Sequence, residues 1–271
     1  AYAGYLENVV PAGVGPDGIP YSAWAADVEA GSQTLMEVGD RLALGIPMPL
    51  AFSASTLVCP PKPSARITER GAVVSPEQTR PLSLRNSDSK TVAGVWARAL
   101  KPAHASHIVS TARGFVSGRQ LAENALDLDA AARVAGVCGN PAVHLFWSAV
   151  MIFYDVKAAF PSVSQAFLFF LLEWFMLPLG FINLVLMTYL FNGVYDPDGT
   201  LLFTFLSGIL EGCPLSGFLF TLVYNPFLTE LKVAIEDNGR GRTRGCADDL
   251  GACLFAISFM RYMLAPLLAA Q

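Results

Sequence analysis

The sequence predicts an α+β fold in which an antiparallel sheet packs on helices, and three observations carry that expectation. An apolar, strand-like run from Met151 ends on a carboxylate at Asp155. Two adjacent acids, Asp248 and Asp249, stand between short apolar pieces, the pattern of a hairpin tip between two strands. Three stretches, 161–177, 179–192 and 216–236, are apolar nearly all round, as expected of helices buried against such a sheet.

Composition sets the outer bounds. The 271 residues are 53% hydrophobic and 15% charged, enough apolar material for one large domain or two small ones. That balance excludes a disordered tail, a collagen-like repeat and a disulfide-dense miniprotein. The net charge of −4 hides a strong asymmetry: residues 1–40 carry −6, residues 41–133 carry +6 and residues 134–271 carry −4. A basic segment of this kind is either the footprint of a polyanion or a solvated face. Five cysteines without a C-x-x-C pair read as reduced thiols of an intracellular protein of cytoplasm or nucleus. His104 and His107 form an H-x-x-H with no further ligand at metal-site spacing, which reads as a helix face. The start shows no signal-peptide pattern, and the missing initiator Met suggests a piece of a longer chain.

Along the chain, Pro16-Asp17-Gly18 reads as a turn, and Tyr21 to Leu44 as helical up to Gly45. Thr56–Cys59 and Arg80–Leu84 read as short β pieces between turn residues. Thr91–Leu100 and Gln120–Val134 return to helical periodicity, the latter with Leu121, Ala125, Leu128 and Ala132 on one face. The runs 166–191 and 201–228 hold one charge each and are long enough to cross a bilayer. Internal Pro and Gly, and the lack of flanking Lys/Arg, argue against a two-span membrane hairpin.

The chemistry lies where acids interrupt the apolar background. Adjacent carboxylates in a half-buried turn repel unless a cation sits beside them, and a divalent metal is the obvious one. An Asp at a strand end together with an Asp pair at a hairpin could surround two magnesium ions, the arrangement used in phosphoryl transfer. Spacing alone leaves ordinary turn and cap roles open for the same residues.

These segments resemble a known family. Asp155 with Ala159-Phe160, then Gly208–Ser216, then Ala247-Asp248-Asp249 follow the order of motifs A, B and C of reverse transcriptases, most like the non-LTR (LINE-type) retrotransposon branch. Upstream, Gly15–Pro20 resembles the family's PGPDGIP segment. Arg80–Asn86 with Asp88 and Lys90 resembles RPISLxNxDxK, and Arg113–Arg119 resembles QxGFxxGR. The correspondence runs over roughly residues 14–255.

The resemblance implies right-hand polymerase fingers over 1–145 and an incomplete palm over 146–271, its antiparallel sheet packed on helices, truncated after motif C with the thumb absent. It implies an RNA-directed DNA polymerase that joins deoxynucleoside triphosphates to a DNA primer on an RNA template. Asp155, Asp248 and Asp249 would be the catalytic carboxylates and, with the Val156 carbonyl, the ligands of two Mg2+ ions, with Mn2+ as the alternative. Lys62, Arg80, Phe160, Glu211 and Gly212 would meet the nucleotide, Phe160 as the aromatic that excludes a ribose 2′-hydroxyl. Arg113, Gly114, Arg119, Gly208 and Pro214 would meet the template. Two departures stand out: Glu211 where motif B normally has Gln, and Ala247 where motif C usually has an aromatic. Weak or no activity of the fragment in isolation is the matching expectation, and the alternative is a decayed element copy that only binds nucleic acid.

Overall fold

The structure is a computed structural model that describes all residues except 11, 63–66, 69–70, 73, 76–77, 139–147, 191 and 270–271. In chain order the first elements are α1 (Tyr2–Leu6), α2 (Tyr21–Ala25), α3 (Val28–Ala43), α4 (Leu50–Ser53), β1 (Ser55–Val58), β2 (Ile67–Thr68), β3 (Gly71–Ala72), β4 (Leu82–Arg85) and α5 (Ser87–His107). There follow α6 (Ala122–Cys138), β5 (Val150–Asp155), α7 (Gln165–Trp174), α8 (Leu179–Tyr189), β6 (Gly193–Tyr195) and β7 (Leu201–Thr204). The last are α9 (Ser216–Ile235), β8 (Gly241–Cys246), β9 (Asp249–Leu254), a 3-10 turn (Ile257–Phe259) and α10 (Met260–Ala269).

Local chemistry explains where the elements break. The helix expected over Tyr21–Leu44 is two helices, because the Asp27 carboxylate accepts the Ala30 N–H at 3.0 Å and starts α3 afresh. Ser164 caps α7 in the same way through the Phe167 N–H at 3.3 Å. The apolar run 166–191 is split by Pro178, which precedes α8, and the run 201–228 is a strand, a loop and the start of α9. Among the described residues only α9 is long and apolar enough to cross a membrane, and half of that stretch is buried.

The chain divides into two units, each built from two stretches. The first comprises 1–99 and 160–216, the second 100–159 and 217–271. The boundary expected at 145/146 lies outside the described residues.

The first unit holds a four-stranded sheet in the order β4-β1-β6-β7, with β1 antiparallel to β4 and parallel to β6. Its core joins α3 and α8: Leu35, Leu42, Phe181, Leu184 and Val185 are fully buried, and Trp96 of α5 meets Phe181 at 6.0 Å between ring centroids. The segment 13–19 is tied to the start of α5. Lys90 Nζ donates to the Gly13 carbonyl at 2.5 Å, the Asp17 N–H to Asn86 Oδ1 at 3.3 Å, and Ser87 Oγ to the Ile19 carbonyl at 2.8 Å. On the outer surface, α7 exposes Phe167, Phe170 and Trp174, and β7, last in the sheet order, exposes all four of its residues.

The second unit holds the three-stranded antiparallel sheet β5-β9-β8. Leu128 of α6 lies against Gly251 and clusters with Ala131 and Cys253 on one face. Leu228 of α9 lies against Gly245, whose side chain position faces the other way. The buried stripe of α6 is therefore Asn124, Leu128 and Ala131, and the expected stripe is displaced: Leu121 and Ala125 are exposed. Arg113 and the Gly245 carbonyl both bond Asn124, which turns that residue inward. His104 is likewise buried on α5, with Nε2 2.6 Å from Thr221 Oγ1 and its pKa lowered to about 4, chiefly by burial. The four cysteines with described side chains are free thiols.

One titration tests the first unit. Burial pushes the Asp88 carboxyl up from 3.8 to about 6, with Asp17 adding to it and the Ser89 N–H and Arg85 opposing. The folded chain thus holds this proton more tightly than the unfolded one, so stability rises as pH falls through 6 toward 4, by roughly 1–3 kcal/mol. Urea midpoints measured between pH 7.5 and 4.5 are expected to show that rise, and Asp88→Asn to remove it.

Candidate active site

In the second unit the strand register decides which acids meet. β5 and β9 pair antiparallel with Asp155 opposite Asp249, and β9 pairs with β8 with Asp249 opposite Cys246. Directly opposed residues point to the same face, so the carboxylates of Asp155 and Asp249 share one face at one end of the sheet. Ala247 and Asp248 form the two-residue tip of the β8–β9 hairpin. Ala247 is left-handed, φ 53°, as the first position of a tight hairpin requires. The Val156 N–H donates to the Asp248 carbonyl at 3.1 Å, carrying the β5–β9 ladder one step past Asp155 and locking the tip beside it. All three acids thus sit at one end of the sheet. Their field is felt by two neighbours. Burial and then Asp248 push the Tyr224 phenol up, and burial, then Asp249, then Asp248 push the Cys246 thiol up.

The tip is braced from the chain before α6. Arg113 N–H donates to the Gly245 carbonyl and Gly245 N–H to the Thr111 carbonyl, both at 2.9 Å, forming a parallel bridge between Ala112 and Gly245. Gly114 then passes so close that a Cβ there would lie 2.4 Å from the Ala247 nitrogen. The cations of this segment face inward. Arg113 pairs with Glu123 at 2.8 Å and Asp127 at 2.9 Å, and Arg244 pairs with Asp127 at 2.8 Å and Glu236 at 2.7 Å. The bond from Arg244 holds the Asp127 carboxyl below the usual range. Arg119 donates to the carbonyls of Ala105, Ile108, Val109 and Ala112 at 2.6 to 3.0 Å, closing the end of α5.

The remaining predicted residues lie in the first unit. The Lys62 N–H donates to the Gln78 carbonyl at 2.7 Å and the Arg80 N–H to the Pro60 carbonyl at 3.0 Å, so backbone pairing brings the two exposed cations onto adjoining segments. The Ile209 N–H bonds the Phe160 carbonyl at 2.8 Å and the Gly208 N–H the Val163 carbonyl at 2.8 Å, which seats the glycine loop against Phe160-Pro161. Gly212 is left-handed, φ 95°, and a Cβ there would lie 2.6 Å from the Ser83 carbonyl, so only glycine fits against β4. Leu210, buried beneath the loop, is held at both ends of its backbone: its N–H donates to Tyr189 Oη at 3.3 Å, and Ser216 Oγ donates to its carbonyl. Glu211 and Pro214 occupy the outer positions of the same loop. The sequence reading missed Tyr189, one of several polar residues in an apolar run, and Asn124, which was not among the residues assigned to the buried face.

The donor set can be tested against a divalent ion. Among the described residues no group of three or more His, Cys, Asp or Glu side chains is close enough to form a ready-made cage. Hard, oxygen-only donors on a sheet end fit Mg2+, which takes one or two carboxylates and draws its other ligands from water and substrate phosphates. The set of Asp155, Asp248 and Asp249 with nearby backbone carbonyls meets that requirement, and it would not suit zinc.

The reverse transcriptase (RNA-dependent DNA polymerase) family matches residues 61–263, and the chain belongs to that family. Solved structures similar to it include apo telomerase from Candida tropicalis truncated from its C-terminal domain, 13% identical over 80% of this chain with a TM-score of 0.55. Telomerase from Candida albicans in complex with a fragment of telomeric RNA is 12% identical over 82% of this chain, with a TM-score of 0.53. The chain spans 46% and 41% of those two proteins, and the likeness is one of fold. No curated protein matches.

The brace behind the hairpin tip can be probed directly. Gly114→Ala is expected to push Ala247 away and to lower stability by about 1–3 kcal/mol. Hydrogen exchange should then quicken at residues 245–249 while the α3–α8 core of the other unit keeps its protection.

Proposed function

We infer that the chain is the catalytic portion of an RNA-directed DNA polymerase of the non-LTR retrotransposon type, working inside the cell. The observation that carries this reading is the pairing of Asp155 with Asp249, with Asp248 locked at the adjacent tip, in a chain that belongs to the reverse transcriptase family. The reaction is attack of a primer 3′-hydroxyl on the α-phosphate of a deoxynucleoside triphosphate, with pyrophosphate leaving. Asp155, Asp248 and Asp249, with the Val156 carbonyl, would hold two Mg2+ ions, which when bound supply charge neutralisation at the attacking and leaving oxygens. The carboxylates' own work is to fix those positions on a rigid ladder, which is most of what phosphoryl transfer asks of a protein.

The exposed guanidinium of Arg80, with Lys62 beside it, suits triphosphate oxygens. Phe160, seated by the Ile209 bond, supports the role of sugar gate. Gly208, Gly212 and Pro214 shape a loop that lets backbone approach the base pair. Template contact by Arg113 and Arg119 would come from their backbone and stems, because their guanidinium groups are engaged with acids and carbonyls of the protein. Gly114 supports the template path indirectly, by letting the chain pass the hairpin tip.

Primer extension on an RNA template with Mg2+ tests the reading, and Asp248→Asn is expected to lower the rate by about 10³-fold or more. Incorporation that survives that change overturns the metal assignment. Mn2+ binding followed by water-proton relaxation gives a readout free of turnover, and Asp155→Asn is expected to weaken it. Glu211 favours one second reading, a decayed copy: salt-sensitive RNA binding without extension, even with Glu211→Gln, would support it.

A further inference from the structure

The segment that opens β8, Arg240-Gly241-Arg242-Thr243-Arg244, carries three arginines in five residues, a density met in nucleic-acid-binding segments. β8 pairs with β9 so that Gly241 stands opposite Leu254 and Cys246 opposite Asp249. Arg240 therefore lies at the end of the ladder away from the acids, roughly 20 Å along the strand. Arg244 is taken up by Asp127 and Glu236. The other cations of this corner gather on aromatic rings. The Arg240 guanidinium carbon lies 3.6 Å from the centroid of the Tyr262 ring, and that of Arg261 lies 4.7 Å from the same centroid. Phe259 is 6.4 Å from Tyr262 between ring centroids, and the Phe255 N–H donates to the Arg240 carbonyl at 2.9 Å. Arg242, Phe255 and Arg261 are exposed.

Like charges gathered on one ring repel, and the acids nearby are already engaged. Glu236 is held by Arg244 at 2.7 Å and, at a long 3.5 Å, by Arg242, while Asp237 is held by Lys232. Among the described residues neither Arg240 nor Arg261 makes an ion pair. A guanidinium carries five N–H donors. Arg240 spends one on the Ala234 carbonyl at 2.6 Å, and Arg261 one on Tyr262 Oη at 2.8 Å. The others are left for an acceptor from outside, and the planar fork of arginine suits phosphate oxygens. The aromatic neighbours decide what kind of phosphate. Cations interleaved with rings suit a single strand, whose backbone lies on the cations while its unpaired bases stack on rings or guanidinium planes; a duplex hides those base faces. We propose that Arg240, Arg242 and Arg261 with Phe255, Phe259 and Tyr262 form a second nucleic-acid site, one that takes a single-stranded stretch of RNA or DNA. A strand held there is tethered to the sheet without occupying the acid end, so the site goes beyond the polymerase reading and does not rest on it.

The probes are fluorescein-labelled oligouridine RNA and oligothymidine DNA of about twelve nucleotides, titrated with the full chain in EDTA and read by anisotropy and by ultraviolet crosslinking. Crosslinks are expected on the peptide 255–262. Arg261→Gln should flatten the slope of log affinity against log salt by about 0.7, the share of one phosphate on a single strand, and remove most of those crosslinks. Arg240→Gln together with Arg261→Gln should flatten it by about 1.4 and weaken binding about tenfold. Arg240 also closes the end of α9, so if the double variant does not fold, Arg261→Gln decides alone. Loss on RNA only assigns the strand to RNA, and equal loss on both probes assigns it to the backbone and base chemistry they share; either upholds the site. Equal loss on a duplex of the same length, crosslinks confined to other segments, or an unchanged slope and affinity in Arg261→Gln overturns it. Asp248→Asn is expected to leave binding and crosslinks as they are. Loss of primer extension in that variant thus speaks to the acids, and loss of crosslinks in Arg261→Gln to this site.

Discussion

The backbone ladder β5-β9-β8 is the constraint on which the catalytic reading depends. Its period of two fixes the face of every side chain, so a one-residue slip of β5 would turn Asp155 away from Asp249. The Val156–Asp248 bond past the end of β5 acts against such a slip, and the Ala112–Gly245 bridge holds β8 from its other side. Covalent turns and main-chain bonds bring the three acids to one sheet end, whatever their mutual repulsion. An ion arriving there would find the repulsion already spent on its behalf, which is how preorganised sites bind hard cations.

Charge in the basic segment has two uses. Composition alone left open a polyanion footprint or a solvated face, yet several of its cations are architectural. Arg85 and Lys90 are buried, Arg119 closes the end of a helix, and Arg113 joins Arg244 in a four-residue ionic chain through Asp127 to Glu236. Arg41, Lys62, Arg80, Arg98, Lys101 and Arg133 are exposed. The cations turned to solvent are accordingly fewer than the segment's composition implies.

Much of this was legible in the residues. The acid at the end of an apolar run and the Asp pair between short strands located the sheet end, because hydrophobic burial gives no reason to put carboxylates there. Gly208 and Gly212 marked a loop whose backbone must come close to something, and Ser83 proved to be part of it. Long-range polar bonds were not legible. The inward turn of Asn124 depends on Gly245, more than a hundred residues away, and the helix stripe of α6 moved with it. The interleaving of the two units was hidden for the same reason, since chain order says little about which stretches pack together. Asp27 could have been seen as a helix start, but its neighbours' helical composition outweighed a single cap.

The outer strand β7 has a consequence for the life of the protein in solution. Leu201, Leu202 and Phe203 are between 44% and 53% exposed at the end of the sheet order, and Leu206 just beyond is 83% exposed. No charged side chain lies between Asp198 and Glu211 to discourage a neighbour. A short, uncharged apolar edge of this kind is a template for strand addition, the same geometry that seeds sheet-to-sheet growth. Self-association through this edge is therefore a route of loss separate from unfolding.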